Sequence, residues 1–80
     1  MIYIPHGVCS KEIHFELDAN NRIHDAYFIG GCNGNLKGIG ALVEGMEAQE
    51  AIKRLEGITC NGKATSCPDQ LASALKEALK

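Results

Sequence analysis

Between residues 11 and 17 the chain alternates strictly, with Ile13, Phe15 and Leu17 on one side and Glu12, His14 and Glu16 on the other. A period of two is that of a strand with one buried and one solvated face, so a sheet forms here and other elements must cover its apolar side. Asp18-Ala19-Asn20-Asn21 supplies turn chemistry, because Asn and Asp accept left-handed φ and bond their own backbone. A second strand, from about Arg22 to Ile29, then completes a hairpin. Its alternation slips near Asp25: Ile23 cannot share a face with Ala26 and Phe28 unless an extra residue is inserted, which predicts a bulge. Ile2-Tyr3-Ile4 reads as a short third strand, with Pro5 marking its end or an edge position.

The rest of the chain supplies the cover. After Gly30-Gly31-Cys32-Asn33-Gly34-Asn35, a turn-rich stretch, Leu36, Ile39, Leu42 and Val43 recur at helical spacing and Gly45 stops them. Gly34, Gly38 and Gly40 each cost such a helix about 1 kcal/mol relative to Ala, which points to close approach of backbone or of a bound group. A second helix runs from about Glu47 to Leu55 on Ala48, Ala51, Ile52 and Leu55, with Gly57 as its carboxyl cap. A third begins at Pro68 and buries Leu71, Ala74, Leu75, Ala78 and Leu79, while Ser66 and Asp69 resemble a capping box. Strands first and helices after indicate an α+β fold: a three-stranded antiparallel sheet with three helices on one face, residues 1–80 forming one domain.

A chain of 80 residues sits near the size where burial only just offsets conformational entropy, so a disulfide, a metal or a second subunit is needed, a homodimer being compatible with this. Met1-Ile2-Tyr3-Ile4-Pro5-His6 has no signal-peptide pattern, and no apolar run approaches the roughly 20 residues that cross a bilayer. The expected setting is the cytoplasm, with no membrane contact. There, scattered cysteines serve as metal ligands or reactive thiols more often than as disulfides. A net charge of -2 and 5% aromatics leave neither the basic footprint nor the stacking platform for nucleic acid.

Cys9, Cys32, Cys60 and Cys67 are separated by 22, 27 and 6 residues, so no short knuckle is present. Their placement is more informative than their spacing. Cys9 precedes the alternating strand, Cys32 lies where the first helix starts, Cys60 is in the loop before the last helix and Cys67 at its beginning. All four fall at element boundaries, where distant parts of a chain converge, and none at an interior core position. Cys32 and Cys67 also lie at predicted helix amino termini, whose partial positive charge favours a thiolate. Four thiolates suit zinc in a closed tetrahedral site or an iron–sulfur cluster. His6 neighbours Cys9 and is a weaker ligand candidate; His14 and His24 are expected on the solvated strand face. Two rival readings use the same segments. Cys60 and Cys67 are close enough in sequence for a reversible disulfide passing electrons to a partner, and the glycine-rich stretch from Gly30 to Gly40 offers a helix amino terminus to a phosphate, flavin or nucleotide.

The stretch Thr65-Ser66-Cys67-Pro68-Asp69 spells TSCPD, and with Cys9, Cys32 and Cys60 the chain resembles the small four-cysteine TSCPD-domain family. Related domains occur at the carboxyl terminus of cobalamin-dependent ribonucleotide reductases, which implies a role accessory to ribonucleotide reduction and a reductase as partner. Arg22-Ile23-His24-Asp25-Ala26-Tyr27-Phe28, Gly31-Cys32 and Gly45-Met46-Glu47-Ala48-Gln49-Glu50-Ala51 also look like the iron–sulfur scaffold proteins of the NifU amino-terminal type. That likeness implies cluster metabolism, a cluster-handling partner and cluster-binding positions at Cys9, Cys32 and Cys67. It departs at Ser10-Lys11, where the scaffolds have Gly-Asp, at Ser66, which replaces a histidine, and at the additional Cys60. A full cysteine set without the aspartate that keeps a scaffold's cluster labile implies a metal held more permanently.

Overall fold

The computed structural model describes the chain apart from Cys32, Cys60, Asn61 and Lys63, and apart from the Asn33 side chain. Three strands, β1 (Ile2–Tyr3), β2 (Ser10–Leu17) and β3 (Ile23–Gly30), pair antiparallel in the order β1-β2-β3. Three helices follow: α1 (Asn33–Val43), α2 (Ala48–Leu55) and α3 (Cys67–Ala78). The expected α+β architecture is therefore present. Turn residue Asn21 adopts the left-handed φ of 59° foreseen for this hairpin.

The bulge also falls where the alternation slips. His14 pairs with Tyr27 and Glu16 with His24, so Asp25 and Ala26 together oppose Phe15, and Asp25 carries φ 56°. The extra residue returns Ala26 and Phe28 to the face of Ile23, where they pack on Ile13 and Phe15 with Val43, Ala51, Ile52, Leu71, Ala74 and Leu75. A second irregularity lies at Lys11, between the Ser10–Gly30 and Glu12–Ile29 pairs, and its consequence is larger. It turns Ser10, which the alternation from residue 11 would place outward, into the interior, where it is 4% exposed.

α1 packs on β3, α3 on β2, and α2 on α3. The link between α1 and α2 is clipped to the start of β3 by hydrogen bonds from Ile23 N–H to the Met46 carbonyl, from Gly45 N–H to the Ile23 carbonyl and from Ala48 N–H to the Asn21 carbonyl. Two expectations about α1 need correction. Leu42 is not in the buried stripe but 76% exposed, because α1 docks through Leu36, Gly40 and Val43, and a neighbour of Val43 is turned about 100° away. The glycines differ as well: a Cβ on Gly34 or Gly38 would meet nothing within 4 Å, whereas one on Gly40 would lie 2.5 Å from the Ala26 carbonyl oxygen. Only Gly40 marks a close approach, and what approaches is the backbone of β3.

Candidate functional site

The segment from Thr65 to Asp69 is a fastening built around the start of α3. Ser66 caps the helix, its Oγ accepting the Asp69 N–H at 3.2 Å and donating to the Ile58 carbonyl at 2.5 Å. Pro68, at the second helical position, lacks an N–H that would have no partner inside the helix anyway. The capping box is only half of what the sequence predicts, since the Asp69 carboxylate accepts from Thr65 Oγ and from the Gly57 N–H instead of turning back to Ser66. The Thr65 hydroxyl first and the Gly57 amide second hold the Asp69 carboxyl below its usual 3.8. Gln70 extends the fastening, donating to Thr65 Oγ1 at 3.0 Å and accepting the His6 N–H at 3.1 Å. His6 thus meets this region through its backbone. Thr65, Ser66, Pro68 and Asp69 account for themselves structurally, and the side chain they leave to be positioned is that of Cys67.

Cys67 is the first residue of α3 and only 8% exposed, which corrects the expectation that no cysteine is interior. It is inward because α3 packs on β2, whose first residue, Ser10, lies beside it. Its Sγ lies 3.3 Å from Ser10 Oγ. Ser10 follows Cys9 in the chain and pairs with Gly30. Next comes Gly31, with φ 81° and so little space that a Cβ would lie 2.9 Å from Leu36 Cδ1 and 3.3 Å from Ser10 N. Glycine is favoured there by its left-handed conformation, and the Ser10 backbone leaves little room for a side chain. The structure therefore brings together the Cys9-Ser10 pair, the Gly30-Gly31 turn that precedes Cys32, and Cys67. Cys9 is exposed, and it and Cys67 are free thiols.

Cys32 and Cys60 lie outside the described residues, as does the proposed Cys60–Cys67 pair. Among the described residues, no group of three or more His, Cys, Asp or Glu is arranged to hold a metal ion. His14 lies on the open sheet face beside Tyr27, whereas His24, on the edge strand β3, reaches Glu44 at the end of α1. The His14 ring meets Glu12 at 2.7 Å and the Tyr27 hydroxyl at 3.0 Å, and stacks on Tyr27 with centroids 4.6 Å apart. The His24 ring nitrogens face Asp18 and Glu44. Sequence reasoning missed Ser10, which no periodicity could find because the irregularity at Lys11 resets it. Gln70 carried no signal beyond its place one residue after the motif.

This arrangement defines a small α+β domain organised around a capped, thiol-bearing helix terminus. The chain belongs to the TSCPD-domain family, whose model, named for the TSCPD domain, matches residues 1–79. Comparisons with curated proteins and with solved structures find no match. No helix among the described residues is long and apolar enough to cross a membrane.

The fastening yields a direct expectation. Ser66→Ala, at a side chain only 2% exposed, removes both the cap and the donor to the Ile58 carbonyl, so it costs about 1 kcal/mol of stability. Urea unfolding of the two proteins measures this, and a loss below about 0.5 kcal/mol contradicts the capping role.

Proposed function

We propose that this domain is a non-enzymatic metal-binding module in which Cys9, Cys32, Cys60 and Cys67 hold zinc or an iron–sulfur cluster as thiolates. The observation that carries the reading is the convergence on Ser10. This residue touches Cys67 with its side chain and packs its backbone against Gly31, so three of the four cysteine-bearing segments meet at one end of the sheet. The donor chemistry fits: a hydroxyl beside a buried sulfur donates to a thiolate and orients it, as groups behind metal ligands commonly do. In this reading the module works in the cytoplasm beside a ribonucleotide reductase or a cluster-handling protein, alone or as a homodimer. A bound metal or cluster supplies cross-linking of the loops or electron storage.

Elemental analysis and an absorption spectrum of protein purified without air test the proposal. One zinc per chain without colour, or iron and sulfide with visible absorption, supports it. Flavin bands, or no metal with a readily reduced disulfide, would favour the cofactor or redox alternatives. Cys67→Ser lowers bound metal per chain more than Cys60→Ser, because Cys67 sits on a capped helix terminus. Equal losses would show that the helix position confers no advantage.

A further inference from the structure

Away from the cysteines, His24 is held between two elements that are distant in sequence. Its Nε2 lies 2.9 Å from Asp18 Oδ2, in the hairpin turn, and its Nδ1 lies 2.7 Å from Glu44 Oε2, just after α1. A neutral imidazole carries one N–H, so only one of these contacts is a hydrogen bond in that state and the other sets a ring lone pair against a carboxylate oxygen. The imidazolium donates to both. Glu44 uses its second oxygen to accept the Asp25 N–H at 2.9 Å, at the residue with φ 56°. Its carboxylate therefore spans His24 and the bulge, fixing the carboxyl end of α1 to β3. Asp18 is separately held by the N–H groups of Asn20 and Arg22.

We propose that His24 is a proton-operated clamp, which as an imidazolium tightens the carboxyl end of α1 on the bulge of β3 and on losing its proton loosens it. The charged groups on the neighbouring elements are Asp18 in the turn, Glu44 after α1 and Glu16, the partner of His24 on β2, whose carboxylate pairs with the Met1 amino group at 3.0 Å. Arg22, just before β3, directs its guanidinium to the Gly45 carbonyl at 2.9 Å, and Asp25 adds one more carboxylate. The surroundings are thus predominantly acidic. Hydrogen bonds to Asp18 and then Glu44 raise His24 above its usual 6.5, those to the Arg22 amide and then His24 bring Asp18 down to about 2, and those to the Asp25 amide and then His24 lower Glu44 from 4.5. The signs follow from linkage. The histidine contribution is complete below pH 6.5 and disappears as pH rises through the raised value, while the carboxylate contributions are complete above about 4.5 and disappear as the acids protonate. The clamp is tight between those limits and loosens on the alkaline side.

Two readouts on the intact chain test this: nuclear magnetic resonance titration of the His24 ring, and amide exchange of Asp25 and of residues 41–46, corrected for intrinsic rates, from pH 5.5 to 8.5. His24 should titrate above 6.5, and exchange should rise roughly two- to fivefold through the same midpoint, the scale of an exposed charged pair. Glu44→Gln should move the His24 midpoint down. His24→Gln, which retains donor and acceptor but no titration, should remove the pH dependence of exchange while leaving the fold intact. A His24 midpoint at or below 6.5, a midpoint indifferent to Glu44→Gln, or a pH-dependent exchange that survives in His24→Gln would each overturn the clamp. If His24→Gln fails to fold, the Glu44→Gln midpoint still decides.

Discussion

Replacing Gly40 by alanine lowers the stability of the domain by about 2 kcal/mol, whereas the same change at Gly38, two residues earlier on α1, leaves it unchanged or raises it by up to about 1 kcal/mol. The helix propensity gained is equal at the two positions, so the difference isolates tertiary contact. At Gly40 the new methyl would sit 2.5 Å from the Ala26 carbonyl oxygen, which belongs to backbone and cannot rotate away; at Gly38 it would meet only solvent. Relief at Gly40 requires α1 to lift from β3, which withdraws Leu36 and Val43 from positions where they are 6% and 3% exposed. For a chain of this size the expected drop in melting temperature is on the order of 10 °C. Urea titration of both variants provides the comparison. Equal effects at Gly38 and Gly40 would mean that α1 does not ride on the Ala26 carbonyl.

A strong chelator under reducing conditions should lower the melting temperature still further, by roughly 20 °C, if the four cysteines hold a structural metal. A metal bound only by the native chain contributes RT ln(1 + [L]/Kd), about 4 kcal/mol at a thousandfold excess over Kd. Native stabilities are about 5–15 kcal/mol for ordinary domains, and a chain this small lies toward the lower end. The segments around Cys9, Cys32 and Cys60 should loosen first, while the β2–β3 hairpin and α3 persist, since the buried side chains of Ile13, Phe15, Leu71 and Leu75 hold them independently of any thiol. Melts with and without chelator decide the matter. Identical curves would remove the structural metal and advance the redox or cofactor readings.

The legible part of this fold is the part governed by local periodicity. Ile13, Phe15 and Leu17 announce β2, the break near Asp25 announces the bulge, and Ser66 announces the start of α3, because each signal depends on residues only a few positions apart. What could not be read depends on how elements meet. Nothing local distinguishes Gly40 from Gly34 and Gly38, since the Ala26 carbonyl that makes the difference belongs to another element. Leu42 has the apolarity and spacing of a core residue and loses its place only through the angle at which α1 lies on β3. Ser10 is hidden by the irregularity at Lys11. Cys9 and Cys67 were legible as boundary residues, but the burial of Cys67 follows from the docking of a capped helix, which spacing does not encode.

The contact between Ser10 and Cys67 joins positions 57 residues apart, while the cap that prepares Cys67 spans three residues and its tie to Ile58 eight. Closing the longer loop costs about 1.7 kcal/mol more entropy than closing the eight-residue one. A pair of neighbouring thiols can seize an ion while the chain is still unfolded; thiols contributed from both ends of the sequence share one only after the sheet and α3 have come together. On the four-cysteine reading, loading becomes a proofreading step: an incomplete or misassembled chain offers at most the neighbouring Cys60 and Cys67 together and retains metal poorly, so full occupancy itself certifies that the chain has closed.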